Sequence, residues 1–276
     1  MRIYVSVDME GIAGVVHVDQ TRRSGHDYEK ARRWMTLEVN AAARGAMDRG
    51  ADEVVINDAH GDMRNLLLDE LDPRVSVISG SLKPLSMVQG VDAGFGAAFF
   101  VGYHAGAASQ AGILDHTYYG KVVARCRLGG RPVDEATLNA IVCGEAGVPI
   151  ALITGDATAC AQARASLGDL EAVVVKDAIT RYAARTVTPE AARISIYKGA
   201  GRATERAGRG EFAPYRPAPP HVLEVDFVNA ACADVSELVP GTERVAGTTT
   251  RYCCPDGTTL VKVIQAWTVL SASTMV

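Results

Sequence analysis

Apolar residues in this chain fall into short runs that alternate with longer helical patterns. "RIYVSVD" at 2–8, "EVVIND" at 53–58, "VSVISG" at 75–80 and "AAFFVGY" at 97–103 read as strands. Between the first two, Ala31, Trp34, Met35, Val39, Ala42 and Met47 recur at helical spacing among charges and predict a helix over 28–49. "NLLLDEL" at 65–71 reads as a short helix stopped by Pro73. "VVARCRLGGRPV" predicts two short strands joined at Gly129 and Gly130. A helix over 134–146, a strand at 149–155, a helix over 157–166, a strand at 171–177 and a long helix over 189–206 follow. After the proline-rich 209–220 come a strand, a short helix, a strand-like stretch and a closing helix over 258–273.

Strands alternating with helices predict an α/β fold: a mostly parallel sheet flanked by helices on both faces, with a second, smaller α/β part. We place the division in the proline-rich connection. Residues 1–215 then form a catalytic domain and 216–276 a smaller C-terminal part, and the short strands around Arg131 are the other candidate boundary.

Composition narrows the class of function. The 276 residues are 48% hydrophobic and 22% charged, which supplies a sizeable core. A net charge of −4 with no dense Lys/Arg stripe argues against nucleic acid as partner. No apolar run is long enough to cross a bilayer, and the start lacks the long apolar region of a secretory signal. No membrane association and a cytoplasmic location are therefore expected. None of the six cysteines forms a C-x-x-C pair, so they read as small buried apolar residues.

The chemistry gathers where strands end. "YVSVDMEGIAG" runs from an apolar strand into Asp8 and Glu10, two acids that share one side of an extended chain. Taken alone, this is a solvated strand end before a glycine turn. His60 follows the second strand in "NDAHGD" and His104 the fourth in "GYHAGA", each beside small residues. A lone histidine in such a place is usually packed or solvated. Four potential ligands at the edge where open parallel sheets bind ligands make coincidence harder to sustain. Imidazole and carboxylate donors suit zinc, and more than three of them point to two ions about 3.5–4 Å apart. Asn57 and Asp58 are candidates to orient His60, and Lys83, before a proline, reads as a surface turn. No nucleophile elbow and no H-E-x-x-H helix is present.

"SVDMEGI", "NDAHGDM", "ISGSLKPLSMV", "GYHA", "RPVDEATLNA" and "PGTE" with "GTTT" occur in order from Ser6 to Thr250. In motif order and spacing they resemble the bacterial zinc D-aminopeptidases of the DppA type. The resemblance implies a metallopeptidase with two zinc ions per subunit, acting on short peptides that contain D-amino acids, in a ring-like homodecamer. It implies Asp8 as the carboxylate bridging both ions, with Glu10, His60, His104 and Glu135 as the other metal ligands and His116 as the catalytic histidine. Glu135 has no independent signal, since an acid in the first turn of a helix is explained by the macrodipole. Around His116 the sequence departs from the family: the interval from His104 is one residue longer, and Asp115 replaces a small hydroxyl residue. A carboxylate beside His116 would favour its charged form. Two alternatives stand beside this reading: a related binuclear amidohydrolase with another substrate, and a non-catalytic oligomeric binding protein of the same fold.

Overall fold

A computed structural model describes residues 1–275. In chain order the elements are β1 (Arg2–Val7), α1 (Val18–Thr21), α2 (Tyr28–Met47), β2 (Glu53–Asp58), β3 (Ser76–Ile78), β4 (Ala97–Tyr103), β5 (Val123–Leu128), β6 (Arg131–Pro132), α3 (Glu135–Glu145), β7 (Ile150–Asp156), α4 (Ala157–Leu167), β8 (Glu171–Thr180), β9 (Ala183–Thr186), α5 (Pro189–Gly208), β10 (His221–Phe227), α6 (Ala230–Ser236), β11 (Glu243–Ala246), β12 (Thr249–Cys254) and α7 (Gly257–Ala272).

One sheet has the order β3-β2-β1-β4-β7-β8-β9 and is parallel except for the antiparallel β8–β9 hairpin. β1 and β4 are buried along nearly their whole length, which is why both read as continuous apolar runs without alternation. Alternate side chains still divide between two cores. Ile3, Val5 and Val7 meet Met35 and Val39 of α2 and Ile196 and Ala200 of α5 on one face. Tyr4 and Phe100 meet Leu138 of α3, Cys160 of α4 and Trp267 of α7 on the other. The expected parallel sheet with helices on both faces is what the chain forms.

The second sheet, β11-β12-β10-β5-β6, is antiparallel. It takes β5 and β6 from before residue 215 and β10, β11 and β12 from after it, so strands from both sides of the expected division share one sheet. Three local expectations differ from the structure. Residues 65–71 form only a 3₁₀ turn at Leu68–Glu70, with Leu68 59% exposed. β3 has three residues, and β8 continues to Thr180 and turns back into β9. Among the described residues, no helix is long and apolar enough to cross a membrane.

Candidate metal centre

Parallel register sets the site. Val7 pairs with Asp58 on one side and Val101 on the other, so β1, β2 and β4 end at nearly the same level. The residues just beyond those ends are Asp8 and Glu10, His60, and His104. Glycine permits the approach: a Cβ on Gly11 would lie 2.0 Å from the Tyr103 carbonyl oxygen, and one on Gly102 (φ +70°) 2.3 Å from that of Asp8. Only a residue without a side chain lets the loop after β1 cross the end of β4. Glu135 comes from the second core layer, as the first residue of α3, where the Asp134 side chain accepts the Thr137 N–H at 2.6 Å.

The structure brings all six expected residues together. Asp8, Glu10, His60, His104 and Glu135 are buried, and His116 is partly so. His60 Nδ1 lies 3.1 Å from Asp8 Oδ1 and 2.9 Å from Glu10 Oε2. His104 Nε2 lies 3.4 Å from Asp8 Oδ2 and 3.5 Å from Glu135 Oε1. The two oxygens of Asp8 thus face different histidines. His116 Nε2 is 3.9 Å from Glu135 Oε1, and its ring stacks on that of His104 with centroids 4.1 Å apart. Ligand atoms of Asp8, Glu10 and His104, and again of His104, His116 and Glu135, lie within 4.8 Å of one another.

Each histidine is anchored by one ring nitrogen to a backbone carbonyl, which can only accept. His60 Nε2 donates to Thr21 at 2.8 Å, His104 Nδ1 to Ala105 at 2.9 Å, and His116 Nδ1 to Leu114 at 2.9 Å. In the neutral ring the other nitrogen is then a lone pair aimed into the carboxylate cluster. These carbonyls leave no trace in the sequence. Asn57 and Asp58, expected to orient His60, do something else. Asp58 accepts from Asn65 and Leu66 and shapes the loop after His60, while Asn57 accepts from Lys83. Lys83 is correspondingly buried rather than a surface turn, with Nζ 2.6 Å from both Asn57 Oδ1 and the Asp58 carbonyl.

The electrostatics are those of a site waiting for positive charge. Burial, then the charge of Glu10, raises the Asp8 carboxyl. Burial would also raise Glu10, but His60 and the other imidazoles outweigh it and hold it well below the usual carboxylate range. Burial opposes the charged forms of His60 and His104, yet the facing carboxylates push both well above the usual histidine value. Asp8 Oδ2, Glu10 Oε2 and His104 Nε2 are buried without a hydrogen-bond partner. Such atoms are costly unless something satisfies them. Tetrahedral zinc with bonds of 2.0–2.2 Å places neighbouring ligand atoms about 3.3–3.6 Å apart, close to the separations here. The residues therefore fit zinc.

The Asp115 carboxylate is turned to an arginine rather than paired with His116. It is engaged by Arg181, whose Nε lies 2.7 Å from Asp115 Oδ1. A cavity of about 470 Å³ opens onto Asp8, Glu10, His60, His116 and Glu135, and Arg181 and Tyr182 from the β8–β9 turn help to line it. His104 is not part of its lining.

A parallel α/β sheet with a buried carboxylate–imidazole cluster beyond its strand ends defines the class of α/β enzymes that carry their chemistry on the connecting loops. Comparison with known proteins narrows the class. The profile of the D-aminopeptidase family matches residues 1–266. A D-aminopeptidase of Bacillus subtilis (strain 168) is 38% identical over 255 residues, which cover 91% of this chain and 90% of that protein. The solved structure of the Zn-dependent D-aminopeptidase DppA from Bacillus subtilis, described as a self-compartmentalizing protease, superposes with a TM-score of 0.93 at 33% identity, covering 100% of both chains. This chain belongs to the D-aminopeptidase family.

Proposed function

We propose that this enzyme removes the N-terminal residue from short peptides containing D-amino acids, with two zinc ions per subunit and His116 as the catalytic histidine. One observation carries the reading: three histidines are each pinned by a backbone carbonyl and present their other nitrogen to the buried carboxylates of Asp8, Glu10 and Glu135, among which Asp8 Oδ2 and Glu10 Oε2 lack hydrogen-bond partners. Asp8, with one oxygen toward His60 and one toward His104, would hold the ions together with Glu10, His60, His104 and Glu135. Zinc held there would supply a Lewis acid for the scissile carbonyl and bring a water's pKa near neutral. His116 Nε2 accepts the proton of the attacking water and returns it to the leaving amine. The Leu114 carbonyl keeps the ring in the tautomer this requires.

The cavity suits a peptide with two free ends. Its amine meets the carboxylate-rich end. Arg22 and Lys121 line the same cavity, and among the described residues neither has an ion-pair partner, so they are available to the C-terminal carboxylate. Exposed Leu82, Tyr182 and Val269 on the cavity lining, with Ile179 nearby in sequence, fit burial against further copies of the chain. They support assembly like that of the self-compartmentalizing relative, with the homodecamer as the expected size. Six free cysteines fit the reducing cytoplasm.

The test is a panel of D- and L-aminoacyl dipeptides, as free acids and as C-terminal amides, with zinc counted by atomic spectroscopy. We expect two zinc ions per chain, turnover of D-aminoacyl substrates, and faster turnover of free acids than of amides. Turnover of L-substrates alone would exclude the D-specific reading. A zinc-free preparation as active as the loaded one would exclude the metal mechanism.

A further inference from the structure

We propose that Arg181, in the turn between β8 and β9, is a positioning residue that fixes His116; the proposal rests on the role given to His116 above. The loop between β4 and β5 that carries His116 is strained. Ala108, Ala111, Leu114 and Tyr118 have φ of 64°, 56°, 51° and 60°, left-handed values that side-chain-bearing residues rarely adopt. Such conformations persist only where the surroundings over-determine them.

The restraints divide along the loop. Its first half is tied to β7 and α4. Gln162 accepts from the Gly106 N–H and donates to Ser109 Oγ, Thr158 donates to the Ala111 carbonyl, and Asp156 accepts from the Ile113 N–H. At Leu114 and Asp115 Arg181 takes over, while the His116 N–H donates to the Ala105 carbonyl at 3.3 Å and the Tyr118 N–H to Glu135 Oε1 at 2.6 Å. The Arg181 carbonyl accepts the Leu114 N–H at 3.0 Å. Its guanidinium donates from Nε to Asp115 Oδ1 and from Nη2 to the Asp115 carbonyl, each at 2.7 Å. Three bonds from one residue thus close on the two residues that precede His116. Leu114, held at its N–H by Arg181, offers its carbonyl to His116 Nδ1 at 2.9 Å. The chain of contacts runs without a gap from the hairpin to the imidazole.

The guanidinium also uses Nη1 on Tyr182 Oη at 2.6 Å, so its donors face protein on several sides. The Asp115 side chain is 10% exposed and that of Arg181 44%, so the pair has a buried carboxylate and a cation at the surface. Removing the arginine side chain leaves that carboxylate nearly buried and unpaired and frees Asp115, next to His116, to relax, while the backbone bond to Leu114 stays. The imidazole would then lose the orientation that places Nε2 beside the carboxylate cluster. A displacement on the order of 1 Å is enough to slow a positioned group by about a hundredfold.

Arg181 also lines the cavity, so the test must separate positioning from substrate binding. Kinetics of Arg181→Gln, Arg181→Lys, Asp115→Asn and the double variant are measured on a D-aminoacyl amide, which has no carboxylate for an arginine to bind. We expect Arg181→Gln to lower kcat about tenfold or more with KM nearly unchanged, zinc content at the wild-type level and cooperative unfolding retained. Arg181→Lys recovers part of the rate, since an ammonium keeps one bond to Asp115. The double variant is no slower than Arg181→Gln, because the two residues act as one unit. A readout independent of turnover is the His116 Nδ1–H signal in ¹⁵N imidazole NMR, which exchanges faster with solvent in Arg181→Gln. Wild-type kcat in folded Arg181→Gln, a loss confined to KM, or an unchanged His116 signal each overturns the proposal. A wild-type protein that cleaves none of the substrates overturns the reading of function instead, and the NMR comparison still tests the clamp.

Discussion

Glu38 and the site histidines show how far a single residue's environment exceeds its letter. On α2, Glu38 is fully buried and accepts the Ala13 N–H at 3.0 Å, while its second oxygen has no partner. Burial pushes its carboxyl up to about 7, although the Ala13 bond and the charges of Lys176 on β8 and Arg193 on α5 pull the other way. A raised acid favours the protonated form in the fold. Stability is therefore full below the ordinary glutamate value and is lost as pH rises toward 7, by about 3 kcal/mol at most. Glu38→Gln keeps an acceptor for Ala13 and removes the titration. Its stability relative to wild type should rise between pH 5 and pH 8, as read from urea midpoints at the two pH values. Parallel midpoints would show that Glu38 does not titrate in this range. At the same scale, Asp8, Glu10, His60 and His104 were legible in the sequence because they stand just past apolar strands. Glu135 was reached only through resemblance. Thr21, Ala105 and Leu114 act through carbonyls, which every residue has, and Arg181 carried no mark of its partner.

Elements rather than residues set the spacing of the site. β1, β2 and β4 end level because their parallel ladders are in register, and Gly11 lets the loop after β1 cross β4. Lys176 of β8 holds that loop from beneath, donating to the carbonyls of Glu10, Ile12 and Val15. The new methyl of Gly11→Ala would collide with backbone, which cannot swing aside as a side chain can. We expect a loss of about 1–3 kcal/mol and a larger fall in zinc content, since Glu10 must move away from His104. Gly61→Ala, where a Cβ meets nothing within 4 Å although φ is positive, is the comparison. Zinc content equal to wild type in Gly11→Ala would contradict the argument. Most element positions were readable from periodicity. β9 was missed because it is mostly exposed and shows no apolar face, and 65–71 was overread because its leucines are divided between core and surface.

The whole molecule adds a linkage between the site and stability. Without a cation, the fold keeps three buried carboxylates and two buried imidazoles together, several of their atoms unsatisfied. A cation that binds only the folded chain stabilises it by mass action. Chelated protein should unfold at a lower temperature, and zinc at a hundred times its Kd should restore about 2.7 kcal/mol per independent site. Differential scanning calorimetry with and without chelator checks this. An unchanged unfolding temperature in protein shown to have lost its zinc would mean that the cluster is satisfied without metal. The second sheet, woven from strands on both sides of residue 215, belongs to this scale too, because pairing between distant strands is invisible to local pattern.

By itself the sequence determined the alternation of strands and helices, the parallel sheet that follows from it, and the placing of acids and histidines just beyond apolar strands. These are local matters, fixed by side-chain period and by what each strand must bury. Tertiary structure alone decided which carbonyl pins which histidine, that Asp115 faces Arg181 rather than His116, and that α3 delivers Glu135 to the edge built by β1, β2 and β4. Those outcomes depend on contacts between segments far apart in the chain, where register, glycine clearance and packing of the two cores act together.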